Sequence, residues 1–164
     1  MNQHAYQSGR STDTALNSVV STIEKAIQTQ EIAMGAFLDI EGAFDRTLIE
    51  AITSALLRHE VPPLFQRWIA SLLSSRCIIS SLMGDPTQVT SVRGCPQGGV
   101  LSPLLWNLTE DELLWDLYEA GYYSIGFADD IAIIIRGKSP STVSEKLQNA
   151  LRDWKISATE PSFL

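Results

Sequence analysis

The chain has 164 residues, 45% of them hydrophobic, with 19 acidic against 12 basic side chains and a formal net charge of −7. That apolar share suits one domain with a real core, while the acidic balance argues mildly against a phosphate-rich partner unless basic segments lie elsewhere in a longer parent. The longest apolar run, Ile131 to Ile135, falls far short of a membrane span, and the polar start MNQHAYQSGRSTD carries no secretory core, so an intracellular protein is expected.

From Thr12 to about Gln30 apolar residues recur at Leu16, Val19, Val20, Ile23 and Ile27, which predicts a helix capped by Ser11 or Asp13. Ile32 to Ile40 reads as a short buried strand ending in a carboxylate. Asp45 suits the N-cap of a helix running through RTLIEAITSALLRH, which Pro62-Pro63 terminates, and LFQRWIASLLSS gives the next helix. RCIISSLMG and TQVTSVRG predict paired strands around the turn signal Gly84-Asp85-Pro86. After a CPQGG loop, Ser102-Pro103 supplies an N-cap and an N1 proline to a helix ending near Gly121. YYSIGFA and IAIIIRG form a hairpin with Asp129-Asp130 as its turn, and STVSEKLQNALRDW from Ser141 is a last amphipathic helix. The order predicts an α+β sandwich with antiparallel or mixed strands. Cys77 and Cys95 lie in no Cys-x-x-Cys or Cys/His array, so reduced thiols are expected rather than a zinc site.

Asp39 ends one predicted strand, and Asp129 and Asp130 mark the tip of a predicted hairpin. If these strands are neighbours, three carboxylates meet at one sheet edge with no adjacent Lys or Arg. Such a group repels itself without cations. Hard oxygen donors suit Mg²⁺, and a pair of such ions assists in-line phosphoryl transfer. The bland alternative is an ordinary Asp-Asp turn, with a strand-end Asp that caps the next element. Between these elements lies RGCPQGGVLSPLL, Arg93 to Leu105, where Gly98-Gly99 lets backbone approach a ligand and Gln97 offers both donor and acceptor. A ligand-free, Gly-rich connection is the alternative there.

The stretches QHAYQSGRSTDTAL, AFLDIEGAFD, RGCPQGGVLSPLLWNL and FADDIAI, in this order, resemble the palm of a reverse transcriptase from a non-LTR (LINE-type) retrotransposon of insect type. The likeness extends from Gln3 to about Trp154. It implies a polymerase palm with a remnant of the fingers and no thumb: a single domain fragment with a fingers-side helix over 1–30, a palm core over 31–140 and an incomplete C-terminal palm over 141–164. It implies that Asp39 and Asp129 are the principal ligands of two Mg²⁺ ions (Mn²⁺ being an alternative), with Asp130 as the third carboxylate. The backbone of Ile40, Glu41, Gly42 and Ala43 would line the triphosphate site. Phe44 would be a steric gate against a ribose 2′-hydroxyl, with an ordinary core aromatic as the alternative, and Gln97 and Gly98 would contact nucleotide and template.

The implied partners are an RNA template, a DNA primer and dNTPs, without a membrane. The fingers, thumb and endonuclease would lie elsewhere in a parent polyprotein whose element acts in the nucleus. Two departures stand out: Phe127 replaces the usual Tyr, and KISATEPSFL comes after Trp154 where the family has a Gly-Leu turn, an Asn and a Lys. RNA-directed DNA polymerisation is the leading expectation, and a non-catalytic remnant that keeps the metal ligands is the alternative. A nucleotidyl cyclase built on a palm is disfavoured by the PQGGVLSP loop.

Overall fold

Ser11 opens the first helix with a reciprocal cap. Its hydroxyl accepts from the Thr14 amide at 3.3 Å, and the Thr14 hydroxyl accepts from the Ser11 amide at 2.9 Å. Orphan donors of the first turn are thereby satisfied, and α1 runs over Thr12–Gln28. The structure, a computed structural model, describes residues 2–81 and 87–159. After α1 come β1 (Ile32–Asp39), α2 (Ala43–Arg46), α3 (Ile49–Arg58), α4 (Pro63–Ser74), β2 (Cys77–Ser80) and β3 (Thr87–Thr90). Next in the chain are α5 (Ser102–Glu119), β4 (Tyr123–Phe127), β5 (Asp130–Gly137) and α6 (Pro140–Thr159). The described residues therefore form an α+β architecture with two small antiparallel sheets. Contacts gather them into two compact units, residues 2–41 with 110–159, and residues 42–109.

In the first unit the sheet order is β1-β5-β4. Antiparallel pairing sets Gly35 opposite Ile134, Phe37 opposite Ala132 and Asp39 opposite Asp130, while β4 sets Ile125 opposite Ala132 and Phe127 opposite Asp130. Cross-strand partners share a face, and this face carries the cluster Ala15, Val19, Ile125, Ala132 and Ile134 beneath α1. Ile131, Ile133 and Ile135 alternate to the other face and are also buried, and α6 packs on β5 and β1.

Two expectations change here. β1 is an edge strand whose residues are exposed or half-buried, Phe37 being 73% exposed, and the strand with a continuous buried run, Ile131 to Ile135, is β5. An edge strand has a partner on one side only, and apolar composition alone does not reveal which strand is central. On α1 the buried positions are Ala15, Val19 and Ala26, whereas Leu16, Val20 and Ile27 are exposed. Small side chains let the helix approach the sheet, which turns the buried stripe away from the larger ones.

The second unit packs α3 on α4 around Ile52, Leu56, Ile69, Leu73, Cys95 and Leu105. Asp45 is not the N-cap of a long helix. It lies inside the one-turn α2, capped by Gly42, and α3 starts afresh after Leu48. The break has a tertiary cause. Thr47 leaves helical geometry at ψ 129°, its carbonyl accepts from the Gly94 amide at 2.7 Å, and Leu48 pairs with Arg93 in an isolated bridge. A strand-like contact with the Arg93–Cys95 segment replaces helical hydrogen bonds that the local sequence would otherwise favour. β2 and β3 pair as expected; the proposed Gly84-Asp85-Pro86 turn lies outside the described residues. α5 begins at Ser102 itself, one residue earlier than expected, and the Ser102 hydroxyl donates to the Pro96 carbonyl at 2.6 Å, closing the preceding loop.

Gly94 has φ +75°, and a Cβ there would lie 2.6 Å from the carbonyl oxygens of both Phe44 and Asp45. Gly98, in the same loop, has φ +80° with nothing within 4 Å. Gly98→Ala is expected to lose only the left-handed backbone preference, about 1–2 kcal/mol, whereas Gly94→Ala also forces the backbone apart and is expected to lose roughly 2–4 kcal/mol. Urea unfolding of the two variants measures the difference, and equal losses would refute the close-approach assignment.

Candidate active site

β1 ends where β5 begins, and this geometry brings the acidic residues to one end of the first unit's sheet. Asp39 and Asp130 are direct cross-strand partners, and the Ile40 amide donates to the Asp129 carbonyl at 3.1 Å. Because Asp130 already belongs to β5, the turn is Ala128-Asp129 rather than Asp129-Asp130. The shift arises from Ala128, which takes φ 57° and so makes the reversal one residue early. A side chain with a Cβ enters that region at a cost of about 1–2 kcal/mol, and such strain persists only where surrounding contacts fix it.

Asp39 and Asp130 are exposed and Asp129 is half-buried. Among the described residues no Lys, Arg or His forms an ion pair with any of the three. Like charges placed directly across a strand pair destabilise it by roughly 0.2–1 kcal/mol, so the arrangement favours a bound cation. Among the described residues no three His, Cys, Asp or Glu side chains close into a metal cage. An open set of carboxylate oxygens nevertheless fits Mg²⁺, which keeps several waters and is commonly held by one or two carboxylates together with substrate phosphates. Beside the pair, a cleft of about 390 Å³ is lined by Leu16, Val19, Phe37 and Phe127 together with Asp39 and Asp130.

Behind the turn lie two residues that the sequence pattern did not single out. Gln3 and Glu110 are both fully buried, and the Gln3 side-chain amide donates to Glu110 Oε2. The same amide donates to the Ala128 carbonyl at 3.3 Å, while its oxygen accepts from the amides of Ala128 at 3.3 Å and Ala5 at 2.7 Å. The other carboxyl oxygen of Glu110, Oε1, has no hydrogen-bond partner among the described residues. Burial holds the Glu110 carboxyl well above its usual range; the Gln3 hydrogen bond opposes that effect, and the charges of Asp129, Asp111 and Asp130 add to it. Gly126 makes room for the pair, since a Cβ there would lie 2.7 Å from Glu110 Oε1 and 3.0 Å from Gln3 Nε2. In the sequence Glu110 is one of three consecutive acidic residues, Glu110-Asp111-Glu112, and spacing alone does not distinguish the buried one from a solvated position.

The remaining predicted residues belong mostly to the second unit. Ile40 is buried and Glu41 exposed at the end of the first; Gly42 caps α2 at φ 73° and Ala43 is buried. Phe44 is half-buried, its ring centroid 5.8 Å from that of the buried Trp106. It packs against the core of the second unit. Gln97 is exposed, its side-chain amide donating to Asp45 Oδ2 at 3.1 Å, and Gly98 beside it has a positive φ. The Arg76 guanidinium ties this loop to β2 by donating to the carbonyls of Arg93, at 2.7 Å, and Gly94. Cys95 is structural: burial pushes its thiol up to about 11, with Arg76 opposing. It and the exposed Cys77 are both free thiols.

A family described as "Reverse transcriptase (RNA-dependent DNA polymerase)" matches residues 1–160. Among curated proteins the chain is 28% identical over 155 residues to a 115 kDa protein of the type-1 retrotransposable element R1DM of Drosophila melanogaster, covering 93% of this chain and 15% of that one. It is 31% identical over 145 residues to the retrovirus-related Pol polyprotein of the type-1 retrotransposable element R1 of Bradysia coprophila, covering 87% of this chain and 14% of that one. It is 28% identical over 161 residues to the RNA-directed DNA polymerase from the mobile element jockey of Drosophila melanogaster, at 93% and 18% coverage. The chain thus spans less than a fifth of the length of each of these relatives.

The state of Glu110 gives a pH prediction. Its folded value lies above the ordinary 4.5, so its contribution to stability is full below that pH and is lost as pH rises through the raised folded value. Glu110→Gln keeps an acceptor for Gln3 and removes the titration. The stability of the variant relative to the native chain is therefore expected to increase with pH above 4.5, measured as urea midpoints from acid to mildly alkaline buffer. A difference independent of pH would contradict the buried-acid assignment.

Proposed function

Since the chain belongs to the reverse transcriptase (RNA-dependent DNA polymerase) family, we propose that its first unit carries the catalytic palm of an RNA-directed DNA polymerase. The observation that carries this reading is the β1–β5 register, which faces Asp39 with Asp130 and leaves Asp129 in the adjoining turn. The reaction is attack of a primer 3′-hydroxyl on the α-phosphate of a dNTP, templated by RNA. Asp39 and Asp129 are the principal ligands of Mg²⁺ and Asp130 is their assistant. Bound there, the divalent cations neutralise the phosphates and lower the pKa of the attacking hydroxyl.

The chain's own contribution is positional. A two-residue turn on a paired hairpin holds the carboxylates with little freedom, and catalysis of this kind depends chiefly on orientation and fixed charge. The apolar cleft beside Asp39 and Asp130 supports seating of a sugar ring next to the cations. The backbone of Ile40 and Glu41, directly after Asp39 in the first unit, borders the triphosphate. Phe44, backed by Trp106, presents a stiff wall against a 2′-hydroxyl. Gln97 and Gly98 contact nucleotide and template, and the exposed Gln97 amide exchanges its Asp45 partner for a base or sugar.

Primer extension on an RNA template with Mg²⁺ tests the proposal. Asp39→Asn and Asp129→Asn are each expected to reduce extension by at least about a hundredfold; equal extension by all three proteins would refute the enzymatic reading and favour a remnant that does not polymerise. Mn²⁺ at a hundred times its Kd is expected to stabilise the native chain by about 2.7 kcal/mol. That increment should vanish in Asp39→Asn, and its survival would remove Asp39 from the site.

A further inference from the structure

The Ala128-Asp129 turn is strained at Ala128, and the bond from the Ile40 amide to the Asp129 carbonyl restrains only its second residue directly. A further restraint, on Ala128, comes from the start of the chain. Residues 2–4 run along the free edge of β4: the Gly126 amide donates to the Asn2 carbonyl at 2.9 Å, the His4 amide donates to the Gly126 carbonyl at 2.8 Å, and Gln3 forms an isolated parallel bridge with Gly126. From that anchor the Gln3 side chain reaches past the end of the strand and bonds both backbone groups of Ala128. It imitates there the next rung of the ladder.

A side-chain amide can be seated either way round, and here the choice matters. Both lone-pair positions of the Gln3 oxygen are used by the amides of Ala5 and Ala128, and both nitrogen hydrogens by the Ala128 carbonyl and Glu110. Glu110 Oε2 accepts from the nitrogen end, so the carboxyl selects the orientation that grips Ala128 at both groups. The hydrogen-bonding capacity of the amide is then fully used, which is the condition under which a buried polar network adds rigidity. Gly126 is the spatial counterpart, because any side chain at that position would displace the pair.

We propose that Gln3 and Glu110 form a buried clamp that positions the metal-binding turn, with Glu110 orienting the Gln3 amide and Gln3 holding Ala128 so that Asp129 is presented beside Asp39. The role rests on Asp129 being a metal ligand, while the clamp itself rests on the hydrogen bonds alone. Gln3 and Glu110 are positioning residues and touch no substrate. Burial holds the Glu110 carboxyl above its usual range, which lessens the charge it sets beside Asp129 and Asp130. A neutral amide acceptor at position 110 should serve equally.

The test combines amide hydrogen exchange with Mn²⁺ titration monitored by electron paramagnetic resonance. Gln3→Met keeps the length of the side chain and removes its hydrogen bonds; Glu110→Met does the same for the carboxyl. Both are expected to speed exchange at Ala128 and Asp129 by about tenfold or more and to weaken Mn²⁺ binding by about five- to tenfold, while exchange in α3 and α4 stays unchanged. Glu110→Gln is expected to match the native chain in both measurements, a rescue that a mere space-filling role would not give. Should Gln3→Met fail to fold, Gln3→Asn withdraws the same amide by one methylene and serves the comparison.

Native-like exchange at the turn in Gln3→Met, or equal damage from Glu110→Gln and Glu110→Met, would overturn the clamp. A native chain that binds no Mn²⁺ would count against the metal site and with it the positioning role, and the exchange data would still decide whether the clamp exists.

Discussion

The pairing of β1 with β5 is the constraint on which the rest of the first unit depends. It places Asp39 against Asp130, aligns the face that receives α1, and fixes where the hairpin must turn. Hydrophobic patterning does not specify this register strongly, because β5 is apolar on both faces and a slip by one residue would still bury isoleucines. Size does part of the specifying. A Cβ at Gly35 would lie 2.9 Å from Ile134 Cδ1, so a side chain there would require that terminal methyl to move. Gly126 performs the same service on the far edge, where Gln3 and Glu110 need the space.

Around this register the acidic groups are sorted by environment. Asp39 and Asp130 remain exposed where ions and phosphates can reach them, while Glu110 is buried behind the hairpin. Water and a cation can answer the first kind of charge. For the second the simplest resolution is protonation, since removing an isolated carboxylate from water is far more costly than neutralising it. One end of the sheet therefore holds carboxylates in two different environments, with the buried one supporting the chain that carries the others.

The sequence was most legible where local rules and tertiary demands agree. The Ser11 cap, the helix that follows Pro62-Pro63, the β2–β3 pair and the hairpin strands are local in origin, and all are present. Asp39, Asp129 and Asp130 stood out because carboxylates bordering apolar strands need an explanation, and the family match extends over the motifs that contain them. The features that could not be read depend on distant partners. The break at Thr47 is imposed by the Arg93–Cys95 segment, the exposure of β1 by its place at the sheet edge, and the importance of Gln3 by a turn more than a hundred residues away in sequence. Gly94 ended the predicted strand TQVTSVRG, yet a Cβ there would meet the carbonyl oxygens of Phe44 and Asp45 at 2.6 Å.

The two-residue length of the Ala128-Asp129 turn has a consequence of its own. Side chains on a strand alternate in parity, so one inserted or deleted residue in this turn would move Asp130 to the opposite side of the sheet and send Ile131 where Ala132 now packs. Substitutions at the turn alter chemistry while leaving geometry in place; a change in length exchanges the two faces of the central strand at once. Among relatives of this chain, the count of residues between β4 and β5 should therefore vary less than their identity.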